Sequence, residues 1–69
     1  MAAVQWVYAN GCNWITLDST SQRYIENLWS HNSSSWIQSQ SFQCPVYVDI
    51  DKMLLMCNGM SYCIARRRT

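Results

Sequence analysis

Met53-Leu54-Leu55-Met56-Cys57-Asn58-Gly59-Met60-Ser61-Tyr62-Cys63-Ile64 is a pair of apolar runs joined by Asn-Gly. Asn-Gly is the pair best able to take positive φ at both central positions of a type I′ turn, so a hairpin with its tip at Asn58-Gly59 is predicted. Counting outward sets the register: Cys57 faces Met60, Met56 faces Ser61, Leu55 faces Tyr62, Leu54 faces Cys63 and Met53 faces Ile64. Directly opposed residues share a face of the sheet, so this register decides which side chains can meet. Upstream, Val46 to Asp51 alternates as a strand, with Val46, Val48 and Ile50 on one face and Tyr47, Asp49 and Asp51 on the other. Asp51-Lys52 is expected to bend the chain before Met53. Cys44-Pro45 is expected to separate this strand from the preceding one, because proline cannot donate to a ladder.

Working outward to the N-terminal half, Val4-Gln5-Trp6-Val7-Tyr8 reads as a strand from its β-branched and aromatic content. Val4, Trp6 and Tyr8 share one face. Asn10-Gly11 breaks the run, and Asn13-Trp14-Ile15-Thr16-Leu17 returns as a second strand. A helix is predicted over about 20–30. Ser19 with Gln22 fits a capping box, and Asp18 adds negative charge at the helix start. Leu17, Tyr24, Ile25, Leu28 and Trp29 fall at the spacing of one buried stripe, with Gln22, Arg23, Glu26 and Asn27 on the other side. The polar run Ser30 to Ser35 is a loop, and His31 within it reads as a solvated residue. Trp36 to Phe42 reads as a strand with one face in water. Five or six short strands and one amphipathic helix make an α+β domain, in which the helix stripe is buried against one curved antiparallel sheet.

The chain has 69 residues, enough for one small domain, 1–69 with a core of about 4–67. A hydrophobic content of 49% that includes four Trp and four Tyr compensates for the small size. The net charge of +1 gives no global case for nucleic acid or a membrane surface, and Arg66-Arg67-Arg68 at the C-terminal end reads as a solvated boundary. There is no apolar run long enough to span a bilayer and no signal-peptide pattern at the start, so a cytoplasmic or nuclear setting is expected. Cys12, Cys44, Cys57 and Cys63 include no C-x-x-C pair, which argues for free thiols over a metal site or a disulfide framework. No Ser/His/Asp or Cys/His set and no phosphate-binding glycine loop is present, so neither catalysis nor a cofactor is expected.

Trp6 in the first strand, Trp14 after a short loop and Glu26 on the helix resemble the W…W…E signature of the WWE domain. The run Val48-Asp49-x-Asp51-x-Met53 before the last hairpin and the terminal Ile64-x-Arg66 are similar to that family as well. The resemblance spans about residues 4–67. It implies a half-barrel of about six antiparallel strands packed on one helix, with Trp6 and Trp14 as core aromatics. WWE domains occur beside ubiquitin-ligase modules and ADP-ribosyltransferase catalytic domains, including those with CCCH zinc fingers. The resemblance therefore implies a non-catalytic module that binds ADP-ribose or poly-ADP-ribose. A half-barrel mouth can take adenine against an aromatic ring while polar and Arg side chains hold its edges and phosphates.

Carried over by position, the implied ligand-binding residues are Tyr8, Ile15, Val46 with Tyr47 beside it, Leu55, Tyr62 and Arg66. Where the family's readers use Gln opposite Arg across the hairpin, this chain has Leu55 opposite Tyr62. That exchange removes a charge and argues against the iso-ADP-ribose mode. It leaves open a terminal ADP-ribose or adenine-type ligand, with Tyr62 stacking on the ring and Arg66 near phosphate. The alternative is a protein-interaction or scaffold domain that has lost ADP-ribose binding and pairs with a protein partner or a second WWE domain.

Overall fold

The computed structural model describes residues 3–68; Met1, Ala2 and Thr69, at the ends of the expected domain, lie outside the described residues. In chain order the elements are β1 (Val4–Asn10), β2 (Asn13–Thr16), α1 (Ser19–Ser30), β3 (Ser35–Ser39), β4 (Cys44–Asp49), β5 (Leu54–Cys57) and β6 (Met60–Arg68). The strands form one antiparallel sheet in the order β2-β1-β6-β5-β4-β3. The described chain is thus an α+β domain of six antiparallel strands and one helix.

The hairpin at the centre has the expected register from Cys57↔Met60 to Leu54↔Cys63. Asn58 and Gly59 both take positive φ, 51° and 78°, as a type I′ turn requires. Beyond the ladder, the Ile64 amide donates to the Met53 carbonyl at 3.1 Å, which keeps those two residues facing each other.

The helix packs on β1 and on β3, which have β6, β5 and β4 between them in the strand order. A single helix can touch both only if the sheet curls around it, an arrangement compatible with a half-barrel. The inner face is the core: Trp6, Ile37, Val46, Val48, Leu55, Cys57 and Ile64 are buried with Ile25 and Leu17. Val7, on the outer face between Thr16 and Ala65, is buried too.

Several expectations are corrected. The helix N-cap is Asp18, whose carboxylate accepts from the Ser21 amide, so Ser19 and Gln22 form no capping box. Gln22 instead reaches β1, accepting from the Trp6 amide at 3.0 Å and donating to the Leu17 carbonyl at 2.7 Å. The helix buries Ser21 and Ile25, while Tyr24 and Trp29 at the edges of the expected stripe are exposed. A serine at the closest approach lets α1 lie near β3, where Ser21 Oγ is 2.8 Å from Ser39 Oγ. Trp14 is 51% exposed. It lies opposite Ala9, which alternates with the inward Tyr8, so it stands on the outer face. Pro45 lies inside β4 opposite Gln38; the β4–β5 register begins only at Tyr47, so the missing N–H breaks no pair on that side. Phe42 belongs to the turn after β3, and Gln43 takes positive φ there.

Gly59→Ala tests the turn. A Cβ at this position meets no atom within 4 Å, so the cost is purely conformational. Equilibrium denaturation is expected to show a loss of about 1 kcal/mol, with the cross-strand pairs of the hairpin retained in nuclear Overhauser spectra.

Candidate functional site

Three rings converge on the inner face. β1 supplies Tyr8, β6 supplies Tyr62 and the β3–β4 turn supplies Phe42. The centroids are 4.9 Å apart for Tyr8–Phe42, 5.2 Å for Phe42–Tyr62 and 5.7 Å for Tyr8–Tyr62. Two contacts are tilted and the third is edge-on, geometries that suit the ring quadrupoles. All three rings are half-buried and pack against the core. Ile15 flanks the group, since it lies directly opposite Tyr8 on β2.

Of the residues implied as ligand-binding, the fold therefore brings together Tyr8, Ile15 and Tyr62. Leu55 and Val46 lie beneath them in the core, both fully enclosed. Tyr47 is on the outer face in an edge contact with Trp36, 5.5 Å between centroids. Arg66 is committed elsewhere. Its Nε and Nη2 donate to the two Glu26 oxygens at 2.9 and 2.8 Å, and its guanidinium lies 4.2 Å over the Trp29 ring. Phe42 is the member that sequence reasoning missed. Alternation assigned it to a strand, and only the turn geometry at Gln43 swings its ring inward.

The pairing of Trp6 with Glu26 has a direct physical basis. Trp6 is buried, and a buried indole N–H needs an acceptor; Glu26 Oε1 accepts it at 2.8 Å. Glu26 is thus a bridge from α1 to β1 and β6, although it lies on the side of the helix away from the predicted apolar stripe. Hydrogen bonding from Arg66 is the main reason its carboxyl titrates below the ordinary range, with Trp6 adding to it against the opposing effect of burial.

Asp18 plays the same part at the other end of the curl. Burial opposes its ionisation, yet the hydroxyls and amides of Ser21 and Ser41 together hold it well below the usual carboxylate range. Ser21 Oγ approaches at 2.6 Å, Ser41 Oγ at 2.8 Å and the Ser41 amide at 3.0 Å.

Two cavities open along the helix, and neither has Tyr8, Phe42 or Tyr62 in its lining. One, of about 340 Å³, is lined by Val4, Trp6, Ser19, Gln22, Arg23 and Glu26. The other, of about 480 Å³, is lined by Thr20, Gln38, Ser39, Gln40, Gln43 and Cys44. Among the described residues no group of three His, Cys, Asp or Glu side chains is arranged to hold a metal ion. No helix of the described chain is long and apolar enough to cross a membrane. Compared with known proteins, the chain matches no family model and no curated sequence.

Because both carboxyls have lowered folded-state pKa values, their contribution to stability is present above about pH 4, the unfolded range, and is lost as pH falls through the folded values. Denaturant midpoints are expected to fall steadily from pH 5 to acid. Asp18→Ala is expected to cost about 1–2 kcal/mol at pH 7, the usual loss for an N-cap, and to flatten that pH dependence.

Proposed function

We propose that the chain is a non-catalytic module of the WWE kind, from an ADP-ribosyltransferase-type protein. Its ligand in this reading is ADP-ribose, or the terminal unit of poly-ADP-ribose, held by the adenine. The observation that carries the reading is the Tyr8–Phe42–Tyr62 group: three half-exposed rings on the inner face, two of them at positions where the family resemblance places ligand contacts. Stacking of a base on such rings is worth about 1–3 kcal/mol per base. Arg66 is already paired with Glu26, which supports recognition led by the adenine. The iso-ADP-ribose mode finds no support, because Leu55 is enclosed and Tyr62 is one of the rings. A nuclear or cytoplasmic parent belongs to the same reading, as does the lack of a catalytic role for the domain itself.

A second reading, a protein-interaction or scaffold domain without ADP-ribose binding, is favoured by one specific observation. The outer face displays Trp36 at 66% exposure against Tyr47, and Trp14 at 51%. Exposed aromatics of this kind suit a protein partner or a second copy of the domain.

An NMR titration with ADP-ribose, and in parallel with adenosine, separates the two. The ADP-ribose reading expects saturable shifts at Tyr8, Phe42 and Tyr62 with both ligands, and a loss of about tenfold or more in affinity for Tyr62→Ala. Unmoved resonances for all three in millimolar ligand would leave the protein-interaction reading standing alone. Arg66→Ala is expected to lower stability, through the stranded Glu26, while changing affinity little.

A further inference from the structure

Cys44 and Cys57 lie on the neighbouring strands β4 and β5. The register pairs Tyr47 with Met56 and Val48 with Leu55; by alternation from Val48 and Leu55, Cys44 and Cys57 both fall on the inner face just beyond the end of that ladder. The two sulfurs are 2.9 Å apart. Their surroundings differ. Cys57 is buried, whereas Cys44 is half-buried and lines the polar cavity with Thr20, Gln38, Ser39, Gln40 and Gln43. A small polar molecule in that cavity reaches Cys44 first and has Cys57 directly behind it. The hydrogen bond from Cys44, with burial second, also pushes the Cys57 thiol above its ordinary range and keeps it protonated at rest. Cys12 and Cys63 are exposed and lie away from this pair, in the β1–β2 loop and on the outer face of β6.

We propose that Cys44 and Cys57 form a reversible modification site for low-molecular-weight disulfides of the glutathione class, with Cys44 the attacked-first thiol and Cys57 the resolving one. The Cys44 thiolate attacks one sulfur of the reagent, whose S–S bond breaks, and the departing thiolate takes up the proton that Cys44 lost. Cys57 then attacks the Cys44 sulfur of the mixed disulfide, a Cys44–Cys57 bond forms, and a second reagent thiol leaves with the Cys57 proton. The protein pair loses two electrons and the reagent disulfide gains them. Excess reduced thiol runs both steps backwards. The site stands independently of any ADP-ribose binding.

The test is incubation of the folded 69-residue chain with oxidised glutathione, followed by non-reducing peptide mapping and thermal melting. The expected map holds one internal cross-link, Cys44–Cys57, with glutathione retained only on Cys12 and Cys63. The melting midpoint is expected to rise on the order of 10 °C, since the cross-link closes a loop in the unfolded chain, and to return with dithiothreitol. In Cys57→Ser, glutathione is expected to persist on Cys44. In Cys44→Ser, Cys57 is expected to stay unmodified in the native state. A stable glutathione adduct on Cys44 of the unsubstituted chain, or a Cys44 that reacts no faster than Cys57 in the single variants, would overturn the proposal.

Discussion

Two carboxylates on one short helix hold the sheet in its curl. Asp18, at the start of α1, gathers Ser21 and Ser41 and so fixes the far end of the sheet, just beyond β3. Glu26, two turns on, takes the Trp6 indole N–H and the Arg66 guanidinium and so fixes β1 and β6. A six-stranded antiparallel sheet twists of its own accord, but nothing in twist alone brings β1 and β3 to opposite sides of one helix. The helix supplies that constraint with fully partnered charges: among the described residues no buried side-chain nitrogen or oxygen lacks a hydrogen-bond partner. Apolar burial of Ile25, Leu17 and the inner-face strand residues then fills the space the clamps define.

The same clamps explain why Arg66 is not a free cation on the inner face. Arg66 points inward opposite Trp6, where a phosphate-binding role would be natural, yet a carboxylate and the Trp29 ring already occupy it. Releasing it would strand Glu26 beside a buried indole. In the ADP-ribose reading proposed above, the ligand would take the surface of Tyr8, Phe42 and Tyr62, and these rings pack on one another. A planar guest would have to part them, and the turn that carries Phe42 is the segment best placed to give way, since Tyr8 is held in the β1–β6 ladder and Tyr62 in the β5–β6 ladder.

Much of this was legible in the sequence where local chemistry decides the outcome. Asn58-Gly59 dictates its own turn and therefore the register of β5 and β6, and the alternation of Val46, Val48 and Ile50 marks their inward face without ambiguity. The helix was legible for the same reason. Its orientation was not, because Ser21, Gln22 and Glu26 dock it alongside Ile25, while Tyr24 and Trp29 of the periodic stripe are left exposed. Polar side chains that grip distant strands leave no periodic trace. Trp14 misled by its size, since only the register with Ala9 shows that it points outward. At the site, Tyr8 and Tyr62 followed from strand faces. The commitment of Arg66 and the inward swing of Phe42 depend on contacts between segments far apart in sequence.

The pairing of β1 with β6 has a kinetic side. Val4 lies against Arg68 and Trp6 against Arg66, so the first strand finds its central partner only in the last. Contacts of such sequence separation raise contact order and slow the folding search. During vectorial synthesis Trp6 and Val7 would wait, unburied, until β6 had left the ribosome, with β2 as the sole strand available to cover β1. The part of the core that Trp6 fills therefore closes late, once β6 is in place beside β1.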